Sequence, residues 1–185
     1  MTRRCNKSAF GRPLIAQAVI STRSMGAEPD MGVLTDEMKQ VVEQQRLGFV
    51  ATVCADGTPN VSPKGTLCVL DEDHLMFADI SSPGTVANLR RNSNVEVNVV
   101  DPFVRKGYRF KGRAEVLEAG TEFERLSVTF ADRGVFDAPR RIRAIVVVRV
   151  DRALPLVSPG YDQDTDEASV RARWGRYYLG DGGTV

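Results

Sequence analysis

The chain is poor in histidine and cysteine, has almost no net charge, and contains no long apolar run. Of its 185 residues one is histidine and three are cysteine. A lone His74, within Asp71-Glu72-Asp73-His74, argues against a zinc centre and against Ser-His catalysis, which both draw on more partners than this chain supplies. The acidic run around it reads as an exposed turn, and no metal is expected. Cys5, Cys54 and Cys68 are odd in number and form no CxxC pair. Cys54 and Cys68 sit in apolar runs and read as buried free thiols, packing as small hydrophobes. That usage suits a reducing compartment, and a cytoplasmic location is expected. With a formal net charge of +1 the chain as a whole is drawn to neither nucleic acid nor membrane, so any attraction for an anion must be local. Nothing approaches the roughly 20 apolar residues of a membrane helix.

What is present is a globular composition, 42% apolar and 26% charged, long enough for one domain with a real core. Residues 1–27 hold five Arg/Lys and no acid, and coherent patterning begins only after Met31. Residues 1–33 therefore read as a disordered leader. From 152 onward Pro155 and Pro159 precede Asp162, Asp164, Asp166 and Glu167, then a basic stretch around Trp174. This reads as a tail, 152–185, with one short helix near 166–177.

Between them the pattern is regular. Leu34, Met38, Val41 and Val42 recur at helical spacing, with Thr35 as N-cap and acids in the first turn, predicting a helix over 35–46. A strand at 47–54, the turn Ala55-Asp56-Gly57-Thr58-Pro59 and a returning strand at 60–70 follow, then a turn at 71–73 and a third strand at 75–78. Ser81-Ser82-Pro83 predicts a helix start, with serine capping and proline in the first turn. Strands are expected at 94–100 and 106–118. Thr121-x-x-Glu124 is a capping box opening a helix that Gly134 can end, and 142–150 is the last strong strand. Six strands in mostly hairpin order predict a mainly β fold, an antiparallel barrel decorated with helices.

Three stretches can converge on one anion. In Val61-Ser62-Pro63-Lys64-Gly65, Lys64 is a cation at the start of a strand and Ser62 adds a hydroxyl, while Pro63 and Gly65 interrupt ladder pairing. Ser81, Ser82 and Thr85 sit at a helix N-terminus, where free N–H groups and the helix dipole favour phosphate. Asn88 lies one turn further on. Each has an ordinary alternative: Ser-Ser-Pro caps any helix, and Ser-Pro-Lys-Gly makes a bulge. Arg105, Lys106, Arg109 and Lys111, interleaved with Tyr108 and Phe110, form a basic ribbon that is either a solvated strand face or a contact for an acidic ligand. Stacking on nucleic acid is disfavoured by the near-neutral charge.

Asn60-Val-Ser-Pro-Lys-Gly65, Phe77-Ala-Asp-Ile-Ser-Ser-Pro-Gly-Thr85, Asn88-Leu-Arg-Arg91, Asn98-Val-Val-Asp-Pro102 and Gly107-Tyr-Arg-Phe-Lys-Gly112, in this order and spacing, resemble the pyridoxamine 5′-phosphate oxidase-like, FMN-binding split-barrel family over roughly residues 34–151. The resemblance implies a six-stranded antiparallel split β-barrel with flanking α-helices. It implies a homodimer with FMN at the subunit interface, and a small-molecule substrate or electron donor. The phosphate roles fall on Ser62, Lys64, Ser82 and Thr85, with Asn88 beside them. Phe77, Ala78 and Asp79 fall along the ribityl chain and ring. Pro63 ends ladder pairing where the ligand approaches, Lys64 supplies charge to the phosphate or ring, and Arg109 and Lys111 reach toward the partner's flavin. No catalytic residue is indicated, as befits a cofactor that does the hard chemistry. The tail motif Arg171-Ala-Arg-Trp-Gly-Arg-Tyr-Tyr-Leu179 departs from the vitamin B6 oxidases, so their substrate is not expected. An FMN-dependent oxidoreductase and a non-enzymatic flavin- or tetrapyrrole-binding carrier or sensor are both compatible with these residues.

Overall fold

The computed structural model describes residues 32–134, 141–161 and 165–180. Apart from Gly32 and Val33, the segment read as a leader lies outside them. Helix α1 (Asp36–Gln45) starts where expected, because the Thr35 hydroxyl accepts the Met38 N–H at 3.3 Å. It ends where Arg46 turns into the left-handed region at φ 51°. Strand β1 (Gly48–Val53) pairs antiparallel with β2 (Pro59–Lys64) across the Asp56-Gly57 turn. The short β3 (Cys68–Val69) pairs with β4 (His74–Asp79), which leads into α2 (Pro83–Arg91). Strands β5 (Asn94–Asp101) and β6 (Lys106–Leu117) form a long hairpin, followed by α3 (Thr121–Asp132), β7 (Ala144–Val157) and α4 (Glu167–Leu179).

Among the described residues seven strands form one antiparallel sheet, in the order β2-β1-β5-β6-β7-β4-β3, curled into a half-barrel. There are seven rather than six because the stretch 60–70 is two strands. They lie at opposite edges of the sheet, and Gly65-Thr66-Leu67 crosses between them. Thr66 makes that crossing hold. Its hydroxyl donates to the Ala78 carbonyl at 3.0 Å and accepts the Ala78 N–H at 2.9 Å, so one buried side chain meets two backbone groups of β4. Pro63 does not end the ladder: it stands opposite Phe49, and pairing continues to Lys64 opposite Gly48. Proline is tolerated because β2 is an edge strand.

Strand β7 outruns its expected end at Val150. Beyond Arg149 it has left β4 and pairs with β6 alone, so Pro155, opposite Tyr108, interrupts no second ladder. The register slips between Lys111 and Gly112, leaving Asp151 as the extra residue of a bulge. Two glycines allow the strands to approach this closely. A Cβ on Gly112 would lie 1.9 Å from the Arg149 carbonyl oxygen, and one on Gly107 would lie 2.0 Å from that of Val99.

The capping box at Thr121 is not formed. Gly120 occupies the N-cap position, with φ 95°, and Thr121 is already the first helical residue. The main core lies on the concave face, where Val50, Phe77, Val97, Val99, Phe110 and Val148 meet residues of α1 and α2. A second cluster packs α3, through Leu126 and Phe130, on Met76 and Ile145.

Candidate functional site

Strand alternation places Asn60, Ser62 and Lys64 of β2 on the concave face, opposite Thr52, Val50 and Gly48 of β1. Pro59, Val61 and Pro63 point the other way. Lys64 is 4% exposed, a burial that lysine tolerates only with partners. Its ammonium donates to Ser62 Oγ at 2.7 Å and to Ser82 Oγ at 2.6 Å, and stands 5.6 Å from the centroid of the Phe77 ring. Burial pushes its pKa below the ordinary lysine value, and the nearby Asp79 carboxylate partly restores it.

Lys64 and Ser82 belong to two of the stretches read as converging on one anion, and the structure brings them together. They meet although β2 and β4 are not paired, because the half-barrel curls its two edges together at the 65–67 crossing. Asp79, buried at the end of β4, accepts the Ser82 N–H at 2.7 Å. The Ser82 hydroxyl therefore does not cap α2; it makes no bond to the helix N–H groups and accepts Lys64 instead. The Ser82 carbonyl takes the Thr85 and Val86 N–H groups, and Pro83 has none to offer. Gly84 follows, exposed at the helix start with open space where a side chain would be.

This arrangement has a chemical consequence. When Ser62 and Ser82 accept from Lys64, each keeps its own O–H proton to donate. One buried cation thus orients two hydroxyl donors beside a helix N-terminus. Open space also adjoins Gly65, next to Lys64. A positive charge, two O–H donors and a helix dipole without an acid in its first turn suit a phosphate monoester.

Thr85 is buried in the first turn of α2. Asn88 is turned elsewhere: its amide donates to Thr52 Oγ1 at 3.1 Å and reaches Cys54 Sγ at 3.5 Å, while Asn60 donates to the same Thr52 oxygen at 3.1 Å. Phe77 and Ala78 are core residues, one below the ammonium and the other held by Thr66. Arg109 and Lys111 do not join this corner. Both are tied to Glu96 on β5, at 2.5 and 3.1 Å, and Arg109 Nε is buried without a partner. Those two cations hold the Glu96 carboxyl below its usual range, against the effect of its burial.

Sequence reasoning passed over Thr52, Thr66 and Glu96. Thr52 carried a usable signal, because it shares its strand face with Val50 and a hydroxyl there is buried. Glu96 carried no signal beyond its place in the strand expected at 94–100.

The family model for pyridoxamine 5′-phosphate oxidase matches residues 34–153. The chain belongs to that family. HupZ of Group A Streptococcus is 31% identical, with 67% of this chain and 94% of that one covered at a TM-score of 0.60. A Lactobacillus delbrueckii protein provisionally described as a pyridoxamine 5′-phosphate oxidase is 26% identical, covering 68% and 97% at 0.57. An FMN-binding protein of Syntrophomonas wolfei shares the fold at 17% identity, covering 68% and 87% at 0.56. Comparison with curated proteins gives no match. The segments that place this chain among the pyridoxamine 5′-phosphate oxidase-like proteins include the Lys64 strand and the Ser82 helix start. The tail from 154 onward lies beyond the match.

Proposed function

We propose that the chain binds FMN between two copies of itself and serves as a flavin-dependent oxidoreductase. The observation that carries this reading is the buried Lys64 ammonium held by the Ser62 and Ser82 hydroxyls at the start of α2. In this reading Lys64, Ser62, Ser82 and the first turn of α2 hold the phosphate, and the concave side of β4 lies beside the rest of the cofactor. Bound FMN would supply electron transfer between a donor and an acceptor. Asp79 fixes the Ser82 backbone, and Lys64 keeps both hydroxyl protons turned toward the ligand.

The dimer is supported by the convex face. Phe49, Val53 and Val61 are exposed there beside Pro59 and Pro63, an apolar patch on an open half-barrel. Arg109 and Lys111 share that face with Glu96, where a partner's cofactor or an acidic substrate can compete for them.

The visible spectrum and mass of the ligand that copurifies are the first test, followed by titration of stripped protein with FMN and with a deazaflavin. Bound FMN with NAD(P)H turnover supports an oxidoreductase, and bound FMN without turnover a carrier. Preference for the deazaflavin would change the cofactor, and binding of neither would overturn the reading.

A further inference from the structure

At the end of the sheet where β5 turns into β6, a cavity of about 340 Å³ opens between α1, the last residues of β7 and the first half of α4. Val41, Val104, Pro155 and Leu156 give it apolar walls, and the Tyr108 ring lines it. Its size and mixed lining are those of small-molecule sites. Five charged side chains face it, and four of them cancel in pairs. Lys106 bonds Glu167 at 3.0 Å, and Arg171 bonds Asp101 at 3.1 Å. Glu37 is the fifth. Among the described residues it has no ion pair; burial, and then the nearby Glu37 carboxylate, push the Tyr108 phenol above its ordinary pKa, and Lys106 also feels the Glu37 charge. Gln44 and Gln45 add amide groups from the same helix.

The surplus charge is therefore one carboxylate, in a cavity that an aromatic side chain also lines. An anionic ligand would have to take Lys106 or Arg171 from its partner and would still face Glu37. A cation meets no such cost, and both the carboxylate and the ring attract it. We propose that this cavity binds a small organic ammonium ion, with its nitrogen on Glu37 and its carbon skeleton against Tyr108, Val41, Pro155 and Leu156. Helix α4 closes the site from above through Glu167 and Arg171, whose ion pairs with the β5–β6 turn hold it there. The site is separate from the Lys64 corner and does not depend on flavin.

Equilibrium dialysis of the full chain against phenethylammonium, phenylacetate and neutral 2-phenylethanol, at constant ionic strength, tests the proposal. Phenethylammonium should bind at least about tenfold more tightly than the other two, and Glu37→Gln should remove about ten- to a hundredfold of that affinity. Glu37 is exposed in the first turn of α1, so the melting temperature of Glu37→Gln should stay close to the parent's, and its FMN affinity should not change. Should that variant fold poorly, Glu37→Asp keeps the charge but draws it back from the Tyr108 side of the cavity, and should weaken phenethylammonium while leaving 2-phenylethanol unaffected. Equal binding of phenylacetate, no binding of phenethylammonium, or an affinity indifferent to both substitutions would overturn it.

Discussion

Lys64 is a buried cation whose nearest partners are neutral, and two opposite pH dependences follow. Its pKa is lower in the folded chain than in the unfolded one, where 10.5 applies. Below the folded pKa the ammonium is charged in both states, and the net cost of its burial does not change with pH. As pH rises from the folded pKa toward 10.5 the unfolded chain binds more protons, so the ligand-free protein gains stability. Phosphate binding runs the other way, because it needs the charge. FMN affinity should fall in alkaline solution at a pH below the ordinary lysine value, while the melting temperature of ligand-free protein rises over the same interval. In Lys64→Arg the fall should disappear, since arginine stays charged throughout. Lys64→Ala should weaken FMN binding by about 1.5–3 kcal/mol, the cost of losing a charged hydrogen bond. Unchanged affinity in a folded variant would remove Lys64 from the site.

Two elements are held by single hydroxyls used in unusual ways, and each use can be tested. Thr66 stands in for a strand where β2 crosses toward β3, satisfying both backbone groups of Ala78. Thr66→Val keeps the shape but leaves buried polar groups unpaired, and should cost about 1–3 kcal/mol in urea unfolding. At α2, Ser82→Asp would set a carboxylate against Lys64 and the helix dipole, so ligand-free stability should hold or rise. The same carboxylate would repel a phosphate, and FMN affinity should drop more than about tenfold, the equivalent of 1.4 kcal/mol. Affinity that survives would place the phosphate elsewhere. Much of this was legible in the sequence. Thr35, the Pro83 start and the alternation of Val95, Val97 and Val99 each fixed an element through local chemistry. The split of 60–70 was not, because one apolar run with a glycine looks the same whether its halves share an edge or lie at opposite edges. Nor was the true partner of Ser82, since a capping serine and a lysine-bound serine look identical in sequence and only the curl of the sheet separates them. Pro155 hid the end of β7 because its tolerance depends on β4 having already parted company, a long-range fact.

For the whole molecule, the apolar convex face and the shared-cofactor reading make one joint prediction. Light scattering should report about twice the 20.3 kDa chain mass. Val61, 60% exposed, is the place to break that contact. Val61→Glu should yield monomers and weaken FMN together, with the fold intact by circular dichroism. Monomers that keep full affinity would put the cofactor within one chain. Strand β2 also bears on what kind of association is open to the molecule. Its outer rim carries Pro59, Val61 and Pro63 in alternation, and prolines on an edge turn their nitrogens away from the ladder. Only Val61 can then offer an N–H to an incoming strand along that rim, so a visitor finds one rung where a ladder needs several. Growth by strand addition, the route toward fibrils, is stopped at this margin by two missing hydrogens.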